Sequence, residues 1–199
     1  MVNISNKLKG KVVSITGASG YIGSALIQEL EKYSLKIIRI SRKEIVPKNG
    51  VEDWVLDLNK QSSWIRIVSK SDIIFHLSGN TSIYNAEKDP KKSLVSTLFP
   101  VIQLINASKK LSRIPRVVFS STATVYGLTE VFPVLETEHP NPITTYDLHK
   151  YFAEQQLSVA SNSNIIDAIS LRLANVYGPS PTESLAQDRG ILSKITRMR

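Results

Sequence analysis

Short apolar runs alternate with longer amphipathic stretches along this 199-residue chain. Six of the runs have the length and apolar content of buried strands: Val12 to Ile15, Leu35 to Ile40, Glu52 to Leu56, Ile73 to Leu77, Arg116 to Ser120 and Ile165 to Leu173. Helical spacing of apolar residues occurs between them, in Tyr21 to Tyr33, Gln61 to Lys70, Pro90 to Lys110 and Tyr146 to Ser158. This alternation predicts an α/β fold in which helices cover both faces of a parallel sheet.

Prolines shape two segments of this pattern. Pro100 lies near the middle of the longest helical segment, where it predicts a kink unless the helix begins later than the spacing indicates. The segment from Leu128 to Thr145 is predicted to be a loop, because it contains Pro133, Pro140 and Pro142. The sequence has no internal repeat and no low-complexity tract. We therefore expect one globular domain, or one domain with part of a second.

A glycine-rich turn, TGASGYIG from Thr16 to Gly23, joins the first predicted strand to the first predicted helix. Glycine permits a sharp reversal, and the missing Cβ lets a pyrophosphate approach the free N–H groups at the positive end of the helix. The turn predicts a dinucleotide site formed by Gly17, Ser19, Gly20, Tyr21, Ile22 and Gly23. Its Gly-x-x-Gly-x-x-Gly spacing differs from the standard dinucleotide fingerprint, and an ordinary tight connection would also use such glycines.

The end of the second strand bears on the identity of the dinucleotide. In dinucleotide folds an acidic residue about twenty residues beyond the glycine turn accepts from the ribose 2′-hydroxyl. This chain has Ser41 and Arg42 there, and a hydroxyl with a guanidinium suits a 2′-phosphate. The sequence therefore favours NADP over NAD, unless Arg42 is only a solvated loop charge.

Two further strand ends complete the predicted cofactor site. Asp57, followed by Leu58, is predicted to bond the adenine amino group, to cap the helix that begins at Gln61, or to do both. Leu77, Ser78 and Gly79 close the fourth strand, and their small residues would let the backbone approach the phosphates and ribose. His76 lies inside that strand and is interpreted as a core residue.

A tyrosine and a lysine four residues apart, Tyr146 and Lys150, are predicted to share one face of a helix. An adjacent ammonium and a cationic nicotinamide would both favour the Tyr146 phenolate, which would make this side chain a usable acid or base. Thr122, at the carboxyl end of a strand, offers a hydroxyl to the substrate oxygen. A tyrosine and a lysine at this spacing usually mark only a partly exposed helix face. The glycine turn and the Ser-Ser-Thr end of the fifth strand are what favour a catalytic role for this pair.

Composition excludes several other classes of function. The chain has no cysteine and only three scattered histidines, so no metal site is expected, and redox chemistry would need a cofactor. The net charge is +8, but the basic residues are spread in small groups without interleaved aromatics, which argues against a nucleic-acid surface. No signal peptide or membrane span is evident, and the sequence is interpreted as cytoplasmic.

Five segments, in this order and at these separations, resemble the extended short-chain dehydrogenase/reductases, the NAD(P)-dependent epimerase/dehydratase family. They are TGASGYIG, Asp57-Leu58, VVFSSTATVYG, Tyr146-Asp147-Leu148-His149-Lys150 and LRLANVYGP. The resemblance covers nearly the whole chain and implies a Rossmann-type doubly wound parallel sheet in an NAD(P)-binding domain of residues 1–178. Family members continue for about another hundred residues, so residues 179–199 are expected to begin an incomplete C-terminal substrate lobe.

The resemblance also implies roles for individual residues. It makes Thr122, Tyr146 and Lys150 the catalytic set and places Asn175 against the substrate. Tyr146 and Lys150 are also expected to contact the cofactor, with Lys150 holding the nicotinamide ribose. Most family members act on nucleotide-diphosphate sugars, and the resemblance allows a homodimer. Two departures bear on the site: His149 replaces the usual serine before the lysine, and the segment from Thr97 to Pro100 replaces an Asn-x-x-Gly pattern.

The family contains several reactions. Its sugar 4,6-dehydratases carry an Asp-Glu pair directly after the Ser/Thr position. This chain has Ala123-Thr124 there instead, and in this it is similar to the 4-epimerases and ketoreductases. The chain is therefore expected to transfer hydride at carbon 4 of the sugar, either in 4-epimerisation or in 4-keto reduction. Ser41-Arg42 favours the reductase, whereas SSTATVYG is more similar to UDP-glucose 4-epimerase. The alternative from another class is a non-catalytic NAD(P)-binding or redox-sensing module.

Overall fold

The computed structural model describes residues 4–130 and 132–178. The strands are β1 Val12–Thr16, β2 Lys36–Ser41, β3 Val51–Val55, β4 Ile73–His76, β5 Arg116–Thr122 and β6 Asp167–Leu173. The helices are α1 Ile4–Leu8, α2 Tyr21–Leu30, α3 Gln61–Lys70, α4 Ile83–Lys88, α5 Pro90–Leu111 and α6 Thr145–Asn162, with a short 3₁₀ helix at Ala123–Tyr126. Strands and helices alternate as the apolar pattern predicts.

All six strands belong to one parallel sheet in the order β3-β2-β1-β4-β5-β6. The predicted Rossmann-type α/β fold is therefore confirmed. The strand order reverses direction at β1, whose neighbours are β2 and β4. Ligands of open parallel sheets bind beyond the carboxyl ends of the strands at such a reversal. This geometry places the glycine turn after β1 at the entrance of that crevice.

Two apolar clusters occupy opposite faces of the sheet. On one face Val13, Ile15 and Ile37 pack with Ile27 and Leu30 of α2. The other cluster is larger and joins strand residues to the inner faces of α3, α5 and α6, through Ile38, Ile40, Trp64, Ile67, Leu104, Phe119 and Leu157 among others. Neighbouring residues of β2 thus enter different clusters, as the alternation of side chains along a strand requires.

The observed element boundaries differ from the predicted ones in places. Helix α2 ends at Leu30, three residues before the predicted Tyr33, whereas α6 extends to Asn162 beyond the predicted Ser158. Thr145 belongs to α6 and not to the preceding loop. Helices α1 and α4 were not predicted, because each is short and leaves little apolar surface buried. The predicted start of a substrate lobe at 179–199 lies outside the described residues.

Helix α5 passes through Pro100 without a break in its helical assignment. It begins at Pro90, with Asp89 as its N-cap, so the alternative of a later start is wrong. Because proline has no N–H, the carbonyl oxygen of Ser96 lacks the helical hydrogen bond that residue 100 would otherwise donate. That oxygen lies toward Gly79, 3.8 Å from the position that a Cβ on Gly79 would occupy. The proline therefore leaves a polar backbone group near the predicted site.

Candidate active site at the carboxyl edge of the sheet

One cavity of about 2300 Å³ runs along the carboxyl ends of the strands. All the site residues predicted from the sequence line it: Gly17, Ser19, Gly20, Tyr21, Ile22, Gly23, Ser41, Arg42, Asp57, Leu58, Leu77, Ser78, Gly79, Thr122, Tyr146, Lys150 and Asn175. The cavity exceeds the volume of about 300–1,000 Å³ typical of small-ligand sites. It therefore has room for a dinucleotide together with a second ligand.

The glycine turn is packed tightly against the end of β4. Gly17 has a left-handed backbone with φ +69°, and a Cβ there would lie 2.9 Å from the backbone nitrogen of Ser78. A Cβ on Gly23 would lie 2.4 Å from the carbonyl oxygen of Gly17. Helix α2 follows with Gly20 as its N-cap, which makes no side-chain hydrogen bond to the first N–H groups. Those donors suit an anion such as a pyrophosphate.

Thr16 joins the two strand ends on either side of the crevice. Its Oγ1 accepts hydrogen bonds from the backbone nitrogens of Leu77 and Ser78, each at 3.2 Å. The same oxygen accepts from the Ser78 hydroxyl at 3.0 Å and lies 2.8 Å from His76 Nδ1. His76 is fully buried, as its interpretation as a core residue requires.

We expect the pH dependence of stability to report the buried His76. Burial, helped by the charge of Lys150, lowers the pKa of His76 from 6.5 to about 3. A lowered histidine pKa contributes stability above the unfolded pKa and loses it as the pH falls toward the folded pKa. The free energy of unfolding should therefore decrease below pH 6.5, by about 1.4 kcal/mol per pH unit from this group.

Denaturant unfolding of the wild type and of His76→Asn at several pH values measures this contribution. The stability advantage of the wild type should shrink as the pH falls below the ordinary histidine pKa, since the variant has no imidazole to titrate. A difference that stays constant between neutral pH and pH 4 would contradict a buried neutral imidazole.

At the end of β2, Ser41 and Arg42 line the cavity as predicted. The Ser41 hydroxyl donates a hydrogen bond to the carbonyl oxygen of Lys43, two residues along the chain. This proton is therefore not directed at a ligand. Arg42 is exposed to solvent, which is compatible either with a 2′-phosphate contact or with a solvated charge.

Asp57 does not cap α3, and that part of its prediction is wrong. The N-cap of α3 is Lys60, and no side chain accepts from the first N–H groups of this helix. Asp57 Oδ1 instead accepts from the backbone nitrogen of Asn59 at 3.0 Å, within a turn before the helix. Trp64 fixes the same turn by donating from Nε1 to the carbonyl oxygen of Leu58 at 2.8 Å. Asp57 lines the cavity, and its contact with adenine stays a prediction.

Thr122 and Tyr146 meet across the cavity, the first at the end of β5 and the second in the first turn of α6. Burial is the main cause that raises the pKa of Tyr146, and the carboxylate of Asp147 raises it further. A hydrogen bond with Thr122 acts in the opposite direction. The net direction makes the phenol the stable form of Tyr146 at neutral pH, and the expectation that an ammonium and a cationic nicotinamide favour the phenolate stays a prediction.

Lys150 is buried and directed toward the sheet. Its Nζ donates to the carbonyl oxygen of Ser120 at 2.7 Å and lies 4.8 Å from the centre of the Phe119 ring. Burial lowers the pKa of Lys150 to about 8, although the carboxylate of Glu154 raises it. The pKa of this side chain is therefore close to neutral pH. The side chain also lies beside Gly79, where the nicotinamide part of the cofactor is predicted to bind.

Several polar residues of the site were not found by sequence reasoning. Glu154 and Arg172 form a partly buried ion pair at the cavity wall, with Arg172 Nη2 2.8 Å from Glu154 Oε2. The same guanidinium lies 4.6 Å from the centre of the Tyr126 ring. Asp147 and Thr124 form another polar group, described below. A Thr-x-x-Asp capping pattern from Thr144 to Asp147 was the available signal for Asp147.

The segment after β6 returns to the glycine turn. Asn175 lines the cavity, in a region without regular secondary structure. Three residues later, the carbonyl oxygen of Gly178 accepts a hydrogen bond of 2.8 Å from the hydroxyl of Tyr21. The candidate substrate segment is therefore joined directly to the candidate phosphate-binding turn.

Comparison with known proteins identifies the family. Residues 13–199 match the model of the NAD dependent epimerase/dehydratase family. The chain belongs to this family. It is 26% identical to UDP-glucose 4-epimerase of Mycoplasma genitalium over 182 residues, which cover 83% of this chain and 53% of that protein. The corresponding enzyme of Lactobacillus helveticus is 28% identical over 182 residues, covering 88% of this chain and 55% of that protein.

Solved structures of epimerases have the same fold as this family member. UDP-glucose 4-epimerase of Thermotoga maritima, solved with UDP-glucose, aligns with a TM-score of 0.77 and 26% identity, covering 85% of this chain and 57% of that chain. The Thermus thermophilus enzyme, solved with NAD, aligns with a TM-score of 0.76 and 27% identity, covering 87% of this chain and 58% of that chain. The chain thus spans between half and three fifths of the length of these relatives.

The described residues also bear on membrane spanning and on metal binding. Among residues 4–130 and 132–178, no helix combines the length and the apolar character that crossing a membrane requires. Within the same ranges, no three side chains of histidine, aspartate or glutamate are grouped so as to hold a metal ion.

Proposed function

We propose that this chain is the cofactor-binding and catalytic part of an NAD-dependent enzyme that epimerises a nucleotide-diphosphate sugar at carbon 4. The observation that carries the proposal is the convergence of Thr122, Tyr146 and Lys150 on the cavity that the glycine turn also lines. Membership of the NAD dependent epimerase/dehydratase family supports it. So do the relatives that share this fold and are UDP-glucose 4-epimerases.

The residues of the cavity fit a dinucleotide. The turn around Gly17 leaves no space for side chains, and the uncapped start of α2 offers N–H donors to a pyrophosphate. We assign Asp57 to the adenine amino group and Lys150 to the nicotinamide ribose, and the position of both residues in the lining of the cavity supports this assignment. When bound, NAD supplies the acceptor and donor of hydride at its nicotinamide ring.

Tyr146 is the group that we propose to exchange the proton of the sugar hydroxyl. Its raised pKa keeps the phenol protonated at neutral pH. A positive charge at the nicotinamide, together with the ammonium of Lys150, would favour the phenolate once the site is filled. The base would then form only when the cofactor is in place. Thr122 would hold the sugar oxygen beside Tyr146 during the transfer.

The cofactor specificity is tested by binding measurements. We expect the protein to bind NAD more tightly than NADP, because the Ser41 hydroxyl is engaged by Lys43 and cannot donate to a 2′-phosphate without turning away. The Ser41-Arg42 pair predicts the opposite preference. Calorimetric titration of the wild type and of Arg42→Ala with both nucleotides decides between them. If NADP binds more tightly and Arg42→Ala reverses this order, the NADP prediction is correct.

Epimerisation and 4-keto reduction differ in their use of cofactor. An epimerase returns its hydride, so UDP-glucose and UDP-galactose should interconvert with catalytic amounts of NAD and without net reduction. A 4-keto reductase, the second candidate supported by Ser41-Arg42, would consume reduced cofactor in proportion to product. Product analysis of the complete gene product, with absorbance of the reduced nicotinamide followed in parallel, separates the two reactions.

A non-catalytic NAD(P)-binding or redox-sensing module is the alternative from another class. Such a module does not need a tyrosine and a lysine at the nicotinamide end of the cavity, which is the observation against it. Cofactor binding without turnover on a panel of nucleotide sugars would favour it. Cytoplasmic location, homodimeric assembly, the metal-free site and the roles of individual residues stay predictions.

A further inference from the structure

A row of hydrogen bonds joins Thr122, through Thr124 of the cavity wall, to the buried Asp147. Oγ1 of Thr122 is 2.8 Å from Oγ1 of Thr124. The Thr124 hydroxyl donates in turn to Oδ1 of Asp147, and the Thr144 hydroxyl donates to Oδ2 of the same carboxylate at 2.7 Å. Asp147 is 1% exposed. We call the bonds Thr122–Thr124–Asp147 the hydroxyl relay.

The protons of this relay can be assigned by counting donors. A hydroxyl has one proton, and a carboxylate has none to donate. Because Thr124 gives its proton to Asp147, it can only accept from Thr122. The single proton of Thr122 is therefore directed at Thr124. The Thr122 oxygen also accepts from the backbone nitrogen of Thr124 at 3.2 Å, which leaves it one further lone pair to accept another hydrogen bond.

We propose that Asp147 is a positioning residue that acts through Thr124 to direct the Thr122 hydroxyl proton away from Tyr146. Thr122 then faces the cavity as a hydrogen-bond acceptor. The proposal deepens the proposed function and rests on it only for the role of Thr122 toward substrate. The hydrogen bond with Thr122 that lowers the pKa of Tyr146 requires Thr122 to donate to the phenolate, and the relay competes with that donation for the single proton of Thr122.

The relay has a consequence for the substrate. A sugar hydroxyl can donate to an accepting Thr122 oxygen, whereas a ketone oxygen has no proton to give. Donation by Thr122 to a ketone, or to the Tyr146 phenolate, would require its hydroxyl to turn away from Thr124. The relay therefore favours the phenol of Tyr146 and the hydroxyl form of the sugar over the phenolate and the ketone.

The carboxylate of Asp147 has a second arm with a different role. The Thr144 hydroxyl accepts from the backbone nitrogen of Asp147 at 3.2 Å while donating to Oδ2, so these two residues cap the start of α6. Thr144 does not contact Thr122 through this arm. Removing the Thr144 hydroxyl therefore tests the structural role of Asp147 separately from the relay.

The variant Thr124→Val tests the relay itself. Valine keeps the shape of threonine at this exposed position but cannot link Thr122 to Asp147. The Thr122 proton would become free to donate to the Tyr146 phenolate. We expect the phenolate fraction at a fixed alkaline pH to rise roughly tenfold, the factor that corresponds to about 1.4 kcal/mol, which is the scale of a hydrogen bond to a charged group.

The measurement is the ultraviolet absorbance of tyrosinate during a pH titration. The chain has seven tyrosines, so each protein is compared with the same protein carrying Tyr146→Phe as well. Thr124→Ser restores the hydroxyl and should return the wild-type titration. Thr144→Val, the matched control, should lower the thermal midpoint without changing the titration of Tyr146.

Asp147→Asn separates the effect of the Asp147 charge from the effect of the direction of the Thr122 hydroxyl proton. It should also increase the phenolate fraction, since the carboxylate charge raises the pKa of Tyr146. If Asp147→Asn increases that fraction but Thr124→Val leaves it unchanged, the charge acts alone and the relay proposal is overturned. These titrations require neither cofactor nor turnover. A protein without epimerase activity but with the expected titrations would refute the proposed function and leave the relay intact.

Discussion

Tyr146→Phe is expected to reduce the turnover of a nucleotide sugar by about 10²- to 10⁴-fold, the range for loss of a general acid–base group. Phenylalanine keeps the ring that lines the cavity and removes only the hydroxyl beside Thr122. Because the hydroxyl is needed for proton exchange and not for holding the dinucleotide, the affinity for NAD should stay close to that of the wild type. Steady-state kinetics and calorimetric NAD titration of the complete gene product measure the two quantities.

Tyr151→Phe is the matched control for this variant. Tyr151 is on the same helix, immediately after Lys150, and is partly buried. It is absent from the lining of the cavity, so removing its hydroxyl should leave turnover nearly unchanged. The mechanism assigned to Tyr146 fails if Tyr146→Phe binds NAD and still epimerises at the wild-type rate. A loss of turnover in both variants would indicate damage to α6 instead.

The strands and long helices could be predicted because their signals are local. Each predicted strand is a run of apolar residues that the sheet buries, and Gln61–Lys70 was predicted with its observed bounds. Helix α4 carries no such signal, since Ile83 and Tyr84 are exposed and only Ala86 is buried. Its single turn and a half depends on the side-chain cap from Ser82 and on contacts with other helices. The sequence pattern does not contain those contacts.

The residues of the cavity could be predicted, but their hydrogen-bond partners could not. Strand ends and the glycine turn identify which side chains reach the carboxyl edge of the sheet. The pairing of Lys150 with the carbonyl of Ser120 joins residues 30 positions apart, and it follows from how α6 packs on β5. The ammonium of Lys150 is not among the main causes that shift the pKa of Tyr146. Burial of the phenol and the neighbouring Asp147 dominate its pKa instead.

Asp57 illustrates the same limit at a shorter distance. A carboxylate four residues before Gln61 suggests a helix cap, yet Lys60 occupies the N-cap position. The turn between them directs the carboxylate to the backbone nitrogen of Asn59. The residue type of Asp57 correctly predicted that it lies at the carboxyl edge of the sheet. It did not predict that the carboxylate bonds Asn59 rather than the start of α3, because this partner depends on the backbone angles of one turn.

Gly17→Ala should be among the most destabilising single substitutions in the glycine turn. Two costs add at this position: a left-handed residue with a Cβ costs about 1–2 kcal/mol, and forcing a side chain into packed space costs about 1–3 kcal/mol. The second arises because the new Cβ would lie 2.9 Å from the nitrogen of Ser78 and 3.0 Å from the carbonyl carbon of Leu77. Relief of that contact would move β4 away from the turn, so NAD affinity should fall as well.

Gly10→Ala separates the two costs. Gly10 has nearly the same backbone as Gly17, with φ +73° against +69°, but a Cβ there would meet nothing within 4 Å. It should therefore show only the left-handed cost, and it should bind NAD like the wild type because it does not line the cavity. Denaturant unfolding gives the difference in stability between the two variants, which isolates the packing at Ser78. Equal destabilisation by both substitutions, with NAD affinity unchanged in both, would show that the turn and the end of β4 are not held together by close packing at Gly17.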